Sequence, residues 1–342
     1  MIQKTPSGRE FVRTPDEQFV DLEGYDFEPH YVDVDGFRVH YVDEGPRDGE
    51  TVLMLHGEPT WSYLYRKMIP PVANAGYRAI APDLIGMGKS DKPIDRNAHT
   101  FEQQVQWVSE LIDNLGLEQI SVVCQDWGGA IGLRLVADRP ERFARVLAAN
   151  AFAVRMDVTP LVIPRLTDRR EYPVDPDAKL RTWDDFLGEA IKWVGEDMSD
   201  FFWGWVRFAL TGPDFLPSQN VDTGGQTRLT PGEVVAYDAP FPSEIYLNGP
   251  RTLPSMMAGV EDEPNLEAWK KLGRFDRPFL TVCGKSDPLV GTRKNQNMLT
   301  AHIPGAKGQT HARIPAGHFI QENAGELLAE HLLAFLRANP IG

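Results

Sequence analysis

Short apolar runs punctuate the chain at Thr51–Leu55, Tyr77–Ala81, Ile120–Cys124, Val146–Ala149, Phe279–Cys283 and Thr310–Ile314. Their length, and apolarity on both faces, predict strands covered on both sides by helices. Ahead of them, YVDVDGFRVHYVDEG at 31–45 reads as a hairpin around Asp35-Gly36, a strong turn dipeptide. Helical periodicity falls between the runs. In Phe101–Leu115 the apolar positions 101, 105, 108, 111, 112 and 115 form one stripe, and Thr100 with Gln103 offers a capping box. Leu327–Leu336 reads as a closing helix. Alternation of this kind predicts an α/β fold with a mostly parallel central sheet flanked by helices and joined by right-handed crossovers.

The alternation breaks from about Asp157 to Met257, where tryptophans 183, 193, 203 and 205 and many prolines replace strand patterns. A helical cap inserted after the sixth strand is expected there, over the carboxyl ends of the strands where open α/β sheets bind ligands. The expected division is a core over 1–156, a cap over 157–257 and the rest of the core over 258–342. Within the cap, the Pro- and Gly-rich stretch Gly212–Gly232 is either a long loop or a protein-interaction surface. Residues 1–30 are polar and are expected to lie as an arm over the surface.

Composition narrows the function. The 342 residues carry 35 Lys and Arg against 49 Asp and Glu, a net charge of −14. That balance argues against nucleic acid and anionic membranes as partners. No apolar run approaches the roughly 20 residues of a membrane-spanning helix. The polar start, MIQKTPSGREFVRTPDEQ, lacks the apolar region of a secretory signal. Cys124 and Cys283 sit in apolar runs and read as buried thiols, so a cytoplasmic setting is expected. His302 and His311 read as surface residues. No His/Cys cluster has metal-ligand spacing and no Gly-rich loop resembles a nucleotide site, so no metal or cofactor is expected.

The candidate chemistry centres on Val122-Val123-Cys124-Gln125-Asp126-Trp127-Gly128-Gly129. An apolar strand stops, one acidic residue occupies the turn, and two glycines open a helix, the setting of a nucleophile elbow. No G-x-S-x-G occurs; the elbow position holds Asp126. An aspartate there is also an ordinary helix N-cap. Asp287 and His318 each follow an apolar run, so the order Asp126, Asp287, His318 is nucleophile, acid, base along one sheet edge. Asp287 ahead of Pro288 also suits a plain turn.

Taken together, these motifs resemble the α/β-hydrolase fold and, within it, the haloalkane dehalogenases with an acidic residue after the first His-Gly. The resemblance rests on His56-Gly57-Glu58-Pro59-Thr60-Trp61-Ser62-Tyr63 and on Ala81-Pro82-Asp83-Leu84 through Gly86, Gly88 and Ser90-Asp91-Lys92-Pro93. It rests equally on Gln125-Asp126-Trp127-Gly128-Gly129, on Cys283-Gly284-Lys285-Ser286-Asp287 and on Ala316-Gly317-His318-Phe319. It runs from about residue 14 to the end and is weaker in the insertion.

The resemblance implies a hydrolase acting on a small apolar halogenated substrate and releasing a halide ion. A carboxylate attacks an sp³ carbon without prior deprotonation. Asp126 would form an alkyl ester, and His318, oriented by Asp287, would activate the water that cleaves it. Backbone N–H groups of Glu58 and Trp127 would receive the oxyanion. The halide would lie between the indoles of Trp127 and a cap tryptophan, Trp205 or, less favoured, Trp203. Phe202 would line the pocket, with Phe152, Phe186 and Phe215 as further wall candidates. Glu58 replaces the Asn of the larger subgroup, and as a carboxylate it would repel halide, so it is assigned to the hydrolytic water. His56 is expected to bond backbone in its loop, and Asp83 to shape one. A monomer is expected.

Two alternatives remain open on sequence. An epoxide hydrolase would use the same three residues with cap tyrosines as acids, and Tyr172, Tyr237 and Tyr246 are available. A non-catalytic relative would bind a small apolar ligand, but none of the three reactive residues is missing.

Overall fold

The computed structural model describes residues 1–154, 182–193, 198–260 and 262–341. Its main sheet has eight strands: β1 His30–Val34, β2 Phe37–Glu44, β3 Thr51–Leu55, β4 Arg78–Pro82, β5 Ile120–Gln125, β6 Phe143–Ala151, β7 Phe279–Gly284 and β8 Ala312–Ile314. Their spatial order is β8-β7-β6-β5-β3-β4-β2-β1. Every pairing from β4 through β3 to β8 is parallel. β2 runs antiparallel to β4, and the hairpin adds β1 antiparallel to β2. Asp35 and Gly36 both take positive φ, 56° and 81°, the conformation of a two-residue hairpin turn matched to strand twist.

The apolar runs therefore become strands because helices cover both faces. β5 is buried along its full length. Helix Phe101–Asn114 turns Phe101, Val105, Val108, Leu111 and Ile112 inward, and the Thr100 side chain accepts from the Gln103 N–H at its start. The C-terminal helix is longer than its apolar stretch alone predicts, Ile320–Ala338.

After β6, the described residues before β7 hold helices Trp183–Trp193, Met198–Thr211, Pro217–Gly224, Pro231–Asp238, Asn248–Thr252 and Asp262–Leu272. The rings of Trp183, Phe186, Trp205, Phe208 and Phe215 touch one another there. One buried ionic cluster fastens helix Pro231–Asp238 to the sheet-bearing part. Glu322 accepts from both Nη groups of Arg66 at 2.6 and 2.7 Å and from the Tyr237 hydroxyl at 2.5 Å, while Arg66 also reaches Glu233 at 2.5 Å.

The N-terminal arm is stitched in more firmly than its polarity predicts. Ile2–Lys4 and Glu10–Val12 join Lys92–Pro93 in a small antiparallel sheet. Tyr25 is buried against Trp61, and its hydroxyl lies 2.5 Å from Ser62 Oγ. Sparse apolar residues at the right places suffice, because each meets a preformed aromatic surface. His302 and His311 also differ from expectation. Both are half-buried: His302 stacks on Trp269, and His311 Nδ1 accepts from the Thr281 N–H at 3.0 Å. Cys124 and Cys283 are buried free thiols. No described helix is long and apolar enough to cross a membrane.

Candidate active site

Asp126 stands where β5 turns into helix Asp126–Asp138, with a left-handed φ of 50°. Such a conformation is strained for a residue with a Cβ, and it persists only where the surroundings fix it. Here Asp126 still bridges to Ala151 of β6, and the Glu58 N–H donates to its Oδ1 at 2.9 Å. Gly57 permits that approach, since a Cβ on it would lie 2.4 Å from Asp126 Oδ1.

His318 lies on the loop after β8. Its Nε2 is 3.5 Å from Asp126 Oδ2, and its Nδ1 is 3.1 Å from Asp287 Oδ2. Asp287 follows β7; its two oxygens accept from the N–H groups of Leu289 and Gly291, each at 2.8 Å. Three residues far apart in the chain thus meet because β5, β7 and β8 end on one sheet edge. The side chains of Asp126 and His318 keep 14% and 10% exposure, whereas that of Asp287 has none.

The electrostatics follow from burial and neighbours. Burial opposes the charge on Asp287, but His318 and the two N–H groups outweigh it and hold its carboxyl below the usual range. Burial likewise opposes charge on His318, yet Asp287 and Asp126 push its pKa up to about 10. His56 behaves as expected from the sequence. Nδ1–H donates to Gly57 O and Nε2 accepts from the Leu84 N–H, so it is a neutral loop residue whose pKa burial lowers. Asp83 also shapes a loop, accepting from the N–H groups of Ser62 and Lys89 at 2.7 Å each.

Trp127, next along the helix, is buried and packs edge-on against Phe152, with centroids 5.5 Å apart. Trp205 is also buried; Phe186 and Phe215 pack on it at 5.7 and 5.8 Å. The Trp205 indole lies beside the Glu58 carboxyl and acts to lower its pKa. Glu58 and Trp127 thus adjoin Asp126, and Trp205 adjoins the Glu58 carboxyl. Phe202 is half-buried against the core. The side chain of Trp203 and the whole of Tyr172 lie outside the described residues. Tyr237 gives its hydroxyl to Glu322 and so is engaged in the ionic cluster. Tyr246 packs half-buried on the core.

Three positioning contacts escaped the sequence reading. Asn150, at the end of β6 with a φ of 44°, donates to the carbonyls of Gly317 and His318 at 2.9 and 2.8 Å and accepts from the Gly284 N–H. Gln125 Nε2 lies 3.2 Å from His318 Nε2 and donates to the His318 carbonyl. Gly224 O accepts from the His318 N–H at 2.9 Å. The signal for the first two was present: each is a lone polar residue at the end of an apolar run. Gly224 carried none. The stretch Gly212–Gly232, read as loop or interaction surface, instead contains helix Pro217–Gly224, whose end rests on the His318 loop.

An aspartate at the strand–helix corner with His318 and Asp287 on neighbouring strand ends is an α/β-hydrolase layout. A family model described as alpha/beta hydrolase fold matches residues 50–324. A protein of Psychrobacter cryohalolentis named haloalkane dehalogenase is 41% identical over 339 residues, covering 96% of this chain and 99% of that one. A haloalkane dehalogenase of Mycobacterium marinum is 42% identical, covering 95% and 99%. The chain belongs to the haloalkane dehalogenase family. Among solved structures, the tetrameric haloalkane dehalogenase DpaA of Paraglaciecola agarilytica superposes with a TM-score of 0.75 at 31% identity, covering 95% of this chain and 98% of that chain.

Proposed function

We propose that this chain hydrolyses haloalkanes to an alcohol and halide through an ester of Asp126. The observation that carries the reading is the Glu58 N–H on Asp126 Oδ1 with His318 facing Oδ2. Oδ2 attacks the halogen-bearing carbon, a C–O bond forms, and the carbon–halogen pair leaves as halide between the indoles of Trp127 and Trp205. An indole N–H is a neutral donor and offers the departing anion no rival nucleophile. Phe152, Phe186 and Phe202 supply the apolar wall. No cofactor enters the scheme.

Ester formation removes the Asp126 charge, one of the two that raise His318's pKa. The imidazolium then gives up its proton to solvent, and the neutral imidazole is available at the step that needs a base. Nε2 takes a proton from water, and the hydroxide adds to the ester carbonyl carbon. The oxyanion at Oδ1 rests on the N–H groups of Glu58 and Trp127. Collapse expels the alkoxide, which takes the proton from His318 and leaves as alcohol. The carboxylic acid left on Asp126 passes its own proton to His318, restoring the carboxylate and the imidazolium. Glu58 is part of this scheme as a neighbour of the water.

Supporting this reading over an epoxide hydrolase, the Tyr237 hydroxyl is committed to Glu322 rather than to a leaving alkoxide. A non-catalytic role is disfavoured by the intact grouping of Asp126, His318 and Asp287. The proposal includes a core over 1–156 and 258–342 with a cap over 157–257. A monomer in the cytoplasm is also proposed, to be checked by sedimentation and by cell fractionation. The tetrameric relative makes the first a necessary measurement.

The decisive experiment incubates purified protein with short bromo- and chloroalkanes, and with an epoxide in parallel. Bromide release that disappears in Asp126→Asn supports the reading. Epoxide turnover without halide release would overturn it.

A further inference from the structure

Glu58 is an acidic side chain whose surroundings contradict the role its charge suggests. It is only 4% exposed, its Oε1 has no hydrogen-bond partner among the described residues, and the Trp205 indole lies beside its carboxyl. Its own N–H meanwhile holds Asp126 Oδ1 at 2.9 Å, and the Asp126 charge acts on its carboxyl, so two acidic groups share one largely buried site. Two such groups cannot both ionise cheaply. Asp126 has the better claim to the negative charge. It accepts a backbone N–H and faces His318, whereas Glu58 has one indole and an unpartnered oxygen.

Resting on the dehalogenase reading, we propose that Glu58 works as a neutral carboxylic acid, so that halide capture by Trp127 and Trp205 is conditional on the proton Glu58 carries. As an acid it adds an O–H donor and no charge to the halide's surroundings. As a carboxylate it would occupy the Trp205 N–H that the halide needs and would repel the anion. Burial and the Asp126 charge both act in the same direction, raising its pKa well above the carboxylate range. The groups that face it are Asp126, His318 and Trp205, with Asp287 behind His318. This reverses the sequence-based argument that an acidic residue here excludes itself from halide binding. The sequence shows a side chain; burial decides its charge.

The proton balance is testable. Above the Glu58 midpoint, each halide bound must bring one proton from solvent, so affinity falls about tenfold per pH unit. Bromide titration of the full-length protein, followed by tryptophan fluorescence, gives the affinity across pH. Glu58→Gln keeps an amide donor and cannot titrate. Its profile is expected to show only the loss that follows His318 deprotonation, while the wild type carries a second loss from Glu58 ionisation. A second measurement does not depend on the variant folding: calorimetry of bromide binding in buffers of different ionisation enthalpy counts the protons taken up. An infrared carboxylic-acid carbonyl band, present at neutral pH and fading in step with bromide affinity, assigns that proton to a carboxyl rather than to His318. Identical pH profiles in wild type and Glu58→Gln, or bromide binding without proton uptake and without that band, would overturn the inference and leave the dehalogenase reading intact. Absence of both bromide binding and halide release would instead overturn the reading on which it rests.

Discussion

The His318 N–H donates to the carbonyl of Gly224 at 2.9 Å, so the last turn of helix Pro217–Gly224 holds the backbone of the proposed base. Asn150 grips the same loop from below through the carbonyls of Gly317 and His318. The imidazole is thus oriented by Asp287 at its ring and by two unrelated segments at its main chain.

That grip leaves no room at the neighbouring position. A Cβ on Gly317 would lie 2.3 Å from Gly224 O, a backbone atom that cannot swing aside. Gly317→Ala is expected to cost about 1–3 kcal/mol of stability, as overpacking does. It should also displace His318 from Asp126, slowing ester hydrolysis more than ester formation. Thermal unfolding with pre-steady-state halide release checks both, and unchanged kinetics would refute the coupling.

Removing the base should separate the two chemical steps. His318→Gln is expected to release about one halide per active site and then stall, with the alkyl group trapped on Asp126, because ester formation needs no base. Asp126→Asn should abolish the burst as well. Intact-protein mass spectrometry would show the added alkyl mass in the first variant and none in the second.

The two aromatic donors should part company. Trp205→Phe removes an N–H that would bind the leaving anion; hydrogen bonds to charged groups are worth about 1.5–3 kcal/mol, so halide affinity should fall at least tenfold. Tyr237→Phe removes a bond to Glu322 instead and should lower stability by a similar amount while halide release persists. Loss of dehalogenation in Tyr237→Phe with native-like folding would reopen the role of that tyrosine.

Acid should loosen the same ionic cluster. Burial works against the charge on Glu322, but Arg66, Lys67 and Tyr237 outweigh it and hold its pKa down at about 2. A depressed carboxylate contributes stability that is complete above its ordinary value and lost as pH falls through the folded one. Denaturant unfolding should therefore weaken from about pH 4.5 toward pH 2. Glu322→Gln should be less stable than wild type at neutral pH, with the gap closing across that window. A constant gap would show that the cluster does not stabilise through charge.

Local pattern alone determined the strands of the main sheet, the turn at Asp35-Gly36, and the order Asp126, Asp287, His318. Apolar runs and turn residues act over a few positions, and a parallel sheet then brings their carboxyl ends to one edge by topology. Trp127 followed, because it is adjacent in the chain to the elbow. What depended on contacts between distant segments was not legible. Gly224 on His318, Asn150 beneath its loop and Tyr237 on Glu322 pair residues that no periodicity relates, and Tyr25 sinks into an aromatic site that only the folded chain assembles. The charge of Glu58 belongs to the same class. Its residue type was plain in the sequence, but its environment, set by Asp126, Trp205 and the exclusion of water, exists only in the tertiary structure.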